Sequence, residues 1–227
     1  MFALASAISI VLSAAMFSGM ILTPLYVQTI RGFSPLDSGL LMLPGALVMA
    51  VMSPITGRLF DSFGAKWLAI TGLSISALTT FALSGLTLDT SYASIMFLYT
   101  MRMFGFSMIT MPVMTNGLNQ LAAHHYPHGT AMNNTLQQVS GAIGSAIFLT
   151  IMNARMSNWI ESRVQDLQSS GEFPVDAQAQ QQLVEQLSRQ GMLEGITFSF
   201  FVAAIVTIVA LILSLFIKRV VPKREEV

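Results

Sequence analysis

The chain is predicted to be all-α and to cross a bilayer six times, and three observations carry that expectation. Of its 227 residues 53% are hydrophobic and only 10% are charged, whereas a soluble domain carries about a quarter charged residues. The mean hydropathy of +0.66 leaves too little polar surface to clothe a soluble fold. Reading the charged residues in order leaves apolar windows of about 20 residues or more, enough to carry a helix across about 30 Å of hydrocarbon.

The predicted spans are 3–30, 36–60, 65–87, 92–118, 129–152 and 196–217. The first is too long for the apolar region of a secretory signal and has neither a basic start nor a small-residue cleavage site, so it reads as a true span. A chain that enters its first span directly after Met1 is expected to be cut from something longer. The second opens on Ser34-Pro35-Leu36-Asp37, an N-cap serine, a proline at the first helical position and an acid at the third. Asp37 is therefore read as a helix cap rather than a proton carrier. The third carries no charge at depth.

Span four holds Arg102 about ten residues from its start, which at 1.5 Å per residue sets it near mid-bilayer. A charge there is expensive and usually functional. Arg102, Gly105, Ile109, Asn116 and Gln120 share a face, so the guanidinium is expected to look into the bundle or a central cavity. Six of the 16 methionines lie in this span, with Met101, Met103, Met108, Met111 and Met114 crowded together. Thioethers suit a surface that accommodates many apolar shapes, and ordinary lipid-facing packing explains them equally well.

Span five carries a polar stripe, because Thr130, Asn134, Gln137, Gln138, Gly141 and Ser145 fall on one helical face. Amides in hydrocarbon need partners, so the stripe must face other helices or a watered cavity. Interhelical glue, with Gly141 and Ser145 as a small-residue contact, and ligand contact both remain open. Span six has no charge between Ile196 and Ile217, and Lys218, Arg219, Lys223 and Arg224 follow at once. The segment 153–195 is richer in acids than in bases and is expected to be an outer loop carrying a short amphipathic hairpin after the Pro174 to Asp176 turn.

Lys and Arg near span ends mark the cytoplasmic side. Arg58 and Lys66 lie between spans two and three and four more bases lie in the tail, so an even span number places both termini in the cytoplasm. Net charge is zero, which gives no reason for a nucleic-acid partner. There is no cysteine, hence no disulfide or thiol chemistry. His124, His125 and His128 cluster in one cytoplasmic loop; metal binding or pH sensing is one reading, a hydrated loop beside headgroups the other. With no zinc-protease, nucleophile-turn or phosphate-loop signature, neither an enzyme, a cofactor nor a metal site is expected.

The strongest local motif is Gly57-Arg58-Leu59-Phe60-Asp61-Ser62-Phe63-Gly64-Ala65-Lys66. It resembles the loop signature between the second and third helices of each half in the major facilitator superfamily; Gly57, Arg58, Asp61, Gly64 and Lys66 match, while Ser62 and Ala65 replace usual basic residues. Leu25-Tyr26-Val27-Gln28, Gly32-Phe33-Ser34-Pro35, Leu43-Pro44, Ser53-Pro54, Asn133-Asn134, Gln137-Gln138 and Gly141-Ala142-Ile143-Gly144 resemble the C-terminal half of its fourteen-span drug and proton antiporters, the EmrB/QacA-like branch. Met20 to Leu25 resembles Met108 to Val113, an internal echo that fits the superfamily's inverted three-plus-three repeat.

The resemblance implies half of a superfamily bundle, with spans one, two, four and five around a central cavity and spans three and six outside them. It implies export of amphipathic drugs in exchange for protons, across a bacterial plasma membrane, together with a missing N-terminal half. Tyr26, Met108, Asn134, Gln137 and Gln138 would touch substrate, and Arg102 would be a coupling or structural charge. The alternative is a non-transporting truncated or accessory membrane bundle that assembles with a partner.

Overall fold

The computed structural model describes residues 2–119, 123–171, 173–174 and 176–215. Gln120, Glu172 and the basic tail lie outside the described residues. Five helices account for most of the rest: α1 (Phe2–Leu25), α2 (Pro35–Leu83), α3 (Tyr92–Leu118), α4 (Tyr126–Ser169) and α5 (Ala177–Ser214). No strand occurs among the described residues. Four segments, Ser6–Ile30, Pro35–Leu83, Tyr126–Ser169 and Ala177–Ser214, are long and apolar enough to cross a membrane. Helix α3, with 27 residues, has the length, but is not among those four.

The 49 residues of α2 would make a rod of about 74 Å if straight, and they do not. Gly64 has φ 77° and ψ 167°, a region open essentially to glycine alone, and there the chain reverses. Before it, Asp37 accepts a hydrogen bond from Tyr92 at its carbonyl and Gly45 lies against Tyr99 and Met103, so this limb runs alongside α3. After it, Gly72 meets Ile109 while Thr80 meets Arg102, so the second limb runs against α3. The expected loop between spans two and three is thus a reversal at one residue.

The start of α2 is built as its sequence requires. Ser34 Oγ accepts from Asp37 N at 3.1 Å and Asp37 Oδ2 accepts from Ser34 N at 3.2 Å, a reciprocal cap with Pro35 at the first helical position.

The segment 153–195 departs from the expected outer loop. Helix α4 continues to Ser169 and α5 begins at Ala177, so most of the segment is two long antiparallel helices joined by a short turn. Gly195 packs on Met152 and Gly191 on Ile160, and Arg155 pairs with Glu194 at 3.9 Å. Asp176 caps α5 by accepting from Ala179 N at 3.2 Å. The turn precedes Arg189 by about 20 Å of helix.

Helix α1 ends in a π-helical turn, Tyr26–Ile30, just after Pro24 removes one ladder donor. Side chains bonded to backbone carbonyls gather this end of the molecule. Tyr26 OH donates to Thr87 O at 2.5 Å, Arg31 to Leu88 O, and Arg189 to Ile30 O through Nε at 3.1 Å and Nη2 at 2.5 Å. The 31–34 and 84–91 connections and α5 therefore meet at one end, as alternating spans demand.

The packing is inside-out relative to a soluble protein. Leu36, Leu40, Leu43, Leu47, Val51 and Ile55 form an exposed stripe on the first limb of α2, while Arg102, Ser76 and Thr80 are fully buried. Apolar surface of that extent suits lipid or a partner rather than water.

Candidate functional site

A cleft of about 230 Å³ opens between four helical segments. Helix α1 supplies Ser9, Leu12, Ser13, Met16 and Phe17. Facing them stand Met49 of the first α2 limb, Thr110 of α3, and Gln137 and Gln138 of α4. These are the four segments expected around a cavity. The cleft holds no acid, base or histidine among the described residues.

Helix α4 is pressed onto α1 by two glycines: Gly141 takes the ring of Phe17, and Gly144 sits against Ala14. That close approach brings Gln137 and Gln138, one turn below, to the cleft. Ser145 turns its hydroxyl to its own helix at Ala142 O, 2.9 Å away, so the small-residue contact is carried by the glycines. Thr130 is half-buried, Asn134 is exposed and outside the cleft, and its neighbour Asn133 is the buried amide, with Nδ2 unpartnered.

The remaining sequence-predicted contacts lie elsewhere. Tyr26 is fully buried at the latched end, its hydroxyl committed to Thr87. Met108 is half-buried beside a separate apolar groove with Leu59, Phe63, Trp67, Leu68 and Thr71. The structure therefore sets Gln137 and Gln138 together on the cleft, leaves Tyr26 and Met108 apart from them, and holds Asn134 one turn before them outside the cleft lining. Ser9 and Ser13, which join the glutamines, were not singled out from the sequence; serines one turn apart on one face of an apolar span are the signal that marks them.

Arg102 is completely buried, on a different face of α1 from the cleft. Its Nε donates to Thr80 Oγ1 at 3.0 Å and its Nη2 to Ala15 O at 2.5 Å, tying α3 to the second α2 limb and to α1. Ser18 also donates to the Ala15 carbonyl, at 2.7 Å. The guanidinium carbon lies 4.9 Å from the centre of the Phe106 ring, a cation–π contact that returns part of its desolvation cost. Nη1 is buried without a partner. No salt bridge among the described residues involves Arg102.

At the opposite end from the Tyr26 latch, Arg58 and Asp61 are exposed beside the Gly64 reversal, Gly57 and Lys66 are half-buried, and the rings of exposed His124 and His125 lie 3.9 Å apart.

Comparison with known proteins gives this geometry a lineage. The family model described as Major Facilitator Superfamily matches residues 1–145. The chain is 52% identical over 154 residues to the MFS-type transporter YhcA of Bacillus subtilis, covering 68% of this chain and 29% of that protein. It is 40% identical over 202 residues to the lincomycin resistance protein LmrB of Listeria monocytogenes, covering 89% and 39%. It is 30% identical over 152 residues to a multidrug resistance protein B homolog of Mycobacterium tuberculosis, covering 65% and 28%. The chain spans less than two fifths of the length of the curated relatives it matches. With the match running through the Gly64 reversal, the cleft and both glutamines, the chain belongs to the major facilitator superfamily.

Proposed function

We propose that this chain is the C-terminal half of a multidrug exporter of the fourteen-span EmrB/QacA-like type, moving amphipathic drugs out of a bacterial cell in exchange for protons. The observation that carries the reading is its 40% identity, over 89% of its length, to a lincomycin resistance protein. The superfamily match, over residues 1–145, takes in all the residues that wall the cleft.

In this reading the two limbs of α2 are separate crossings, α3 is another, and the total is six, arranged as a three-plus-three inverted repeat. The Gly64 end and both termini face the cytoplasm, and the α4–α5 hairpin stands outside. The cleft is one wall of a midplane site completed by an N-terminal half, and the halves rock about it. Gln137 and Gln138 contact substrate. Arg102 acts as the structural charge of the bundle, because its hydrogen bonds join three helical segments and none reaches the cleft.

In cells stripped of other drug pumps, the complete exporter, this chain joined to its N-terminal half, should lower retention of a fluorescent amphipathic dye several-fold and raise tolerance to lincomycin. Retention and tolerance equal to an empty-vector control would refute the exporter reading and favour a non-transporting accessory bundle.

A further inference from the structure

We infer that the wall this chain contributes to the site selects neutral, hydrogen-bonding groups, hydroxyls and amides carried on an amphipathic molecule, rather than a cationic centre. The inference rests on the exporter reading and concerns which part of a substrate this half holds.

The polar groups of the cleft are all uncharged. Ser9 and Ser13 offer hydroxyls from α1, one turn apart, and Gln137 and Gln138 offer two amides from α4 across the gap. None of these four side chains forms a hydrogen bond to another described residue, in contrast to many serines and threonines here, which bond back to their own helix as Thr110 does to Phe106 O at 3.0 Å. A polar group facing hydrocarbon without a partner is costly, so these atoms need water or ligand. Hydroxyl and primary amide each donate and accept. Their match is another hydroxyl or amide, which satisfies both functions at once; an ammonium or phosphonium would satisfy only the oxygens or nothing.

A cation would also meet no compensating charge. The cleft contains no carboxylate among its lining residues, and an acid or a set of aromatic faces is what ordinarily offsets a desolvated cation; Phe17 is the single ring in the lining, and it is packed against Gly141. On another face of α1 lies the unpaired positive charge of Arg102, hydrogen-bonded to Ala15. Its field acts on the cleft through one helix and opposes a second positive charge.

Size sets the role of the wall. About 230 Å³ corresponds to roughly seven or eight water volumes and falls below a drug-sized site of about 300–1,000 Å³. The wall therefore grips one polar portion of a substrate, while Met16 and Met49 give its apolar neighbourhood room to adapt.

The test compares two probes in the complete exporter. Chloramphenicol is neutral and carries two hydroxyls and an amide; tetraphenylphosphonium is a permanent cation with no hydrogen-bonding group. The paired change Gln137→Leu with Gln138→Leu, and separately Ser9→Ala with Ser13→Ala, should shift the ratio of chloramphenicol export to tetraphenylphosphonium export about tenfold toward the cation, as loss of two hydrogen bonds implies. The ratio is insensitive to how much protein reaches the membrane. An unchanged ratio in both variants, or an unaltered exporter that moves the cation and not chloramphenicol, overturns the inference while leaving the exporter reading in place. If the unaltered exporter moves neither probe and confers no drug tolerance, the exporter reading falls and the inference with it.

Discussion

Gly19 and Arg102 share one volume: a methyl group on Gly19 would overlap Nη1 of Arg102 and stand 2.5 Å from Cζ and 2.8 Å from Nη2. The missing side chain on α1 is what lets a guanidinium from α3 reach the Ala15 carbonyl. Gly19→Ala should destabilise the protein by about 1–3 kcal/mol through overpacking, lowering the melting temperature in detergent by roughly 2–12 °C at about 2–4 °C per kcal/mol. Arg102→Ala should lower stability, membrane abundance and export together. The decisive measurement is the double variant Gly19→Ala with Arg102→Met, whose slimmer side chain gives the new methyl room. It should be more stable than the summed effects of Gly19→Ala and Arg102→Met measured singly by at least about 1 kcal/mol. Strict additivity would show that the two residues do not share the space.

Two glycines of the same loop motif should behave oppositely. Gly64 has a backbone conformation that costs other residues about 1–3 kcal/mol, and the reversal of α2 depends on it, so Gly64→Ala should reduce folded yield in the membrane and heat resistance. Gly57 is helical with open space around its Cα. Gly57→Ala should be neutral or stabilising by up to about 1 kcal/mol. Equal losses from both would mean that the motif is held by something other than the turn at Gly64.

What could be read from sequence divides by the range of the interaction. The Ser34–Asp37 cap is made within four residues, and the pattern that announces it is the structure that forms. Gly64 was visible for the same reason. The burial of Arg102 was visible from hydropathy, but its partners were not, since Thr80 and Ala15 lie 22 and 87 residues away and nothing local marks Gly19 as their accomplice. On α4 the amide that is buried is Asn133 rather than Asn134; one residue is a turn of about 100°, and periodicity alone cannot fix the phase to that accuracy. The segment 153–195 misled for a different reason. Its polarity ends a hydrophobic window, yet Ala, Gln, Leu and Glu are good helix formers, so the helix continues past the point where apolar character stops.

The 31–34 and 84–91 connections gather at one end and the Gly64 reversal lies at the other, and the proposed orientation sets the Gly64 end in the cytoplasm. A single cysteine introduced at exposed Ser169, at the end of α4, should react with an impermeant maleimide added to intact cells. One at exposed Ser62 should react only after the cells are opened. Reversed labelling would invert the proposed orientation and remove the basis for placing Arg58 and Lys66 in the cytoplasm.

Proton coupling by this chain alone is the strictest expectation to test, and the positions of its acids argue against it. A proton-driven exporter needs a group that protonates reversibly and is reached in turn from both sides, and inside membranes that group is usually Asp, Glu or His. Asp37 is engaged in the cap of α2. Asp61 is exposed beside the Gly64 reversal and Asp89 is exposed in the 84–91 connection. Glu161, Asp166, Asp176, Glu185 and Glu194 all belong to the α4–α5 hairpin. None of these acids lines the cleft, and His124, His125 and His128 are exposed at the cytoplasmic end in the proposed orientation. Arg102 is central, but a guanidinium keeps its proton at physiological pH and cannot carry one across. In the proposed exporter the coupling carboxylate should therefore come from the N-terminal half, opposite the neutral wall formed by Ser9, Ser13, Gln137 and Gln138. Purified chain in liposomes under an imposed proton gradient should move a fluorescent cationic dye no faster than protein-free liposomes, and joining the N-terminal half should restore gradient-dependent uptake. Dye movement driven by the gradient through this chain alone would locate the coupling group within these 227 residues and end the half-transporter reading.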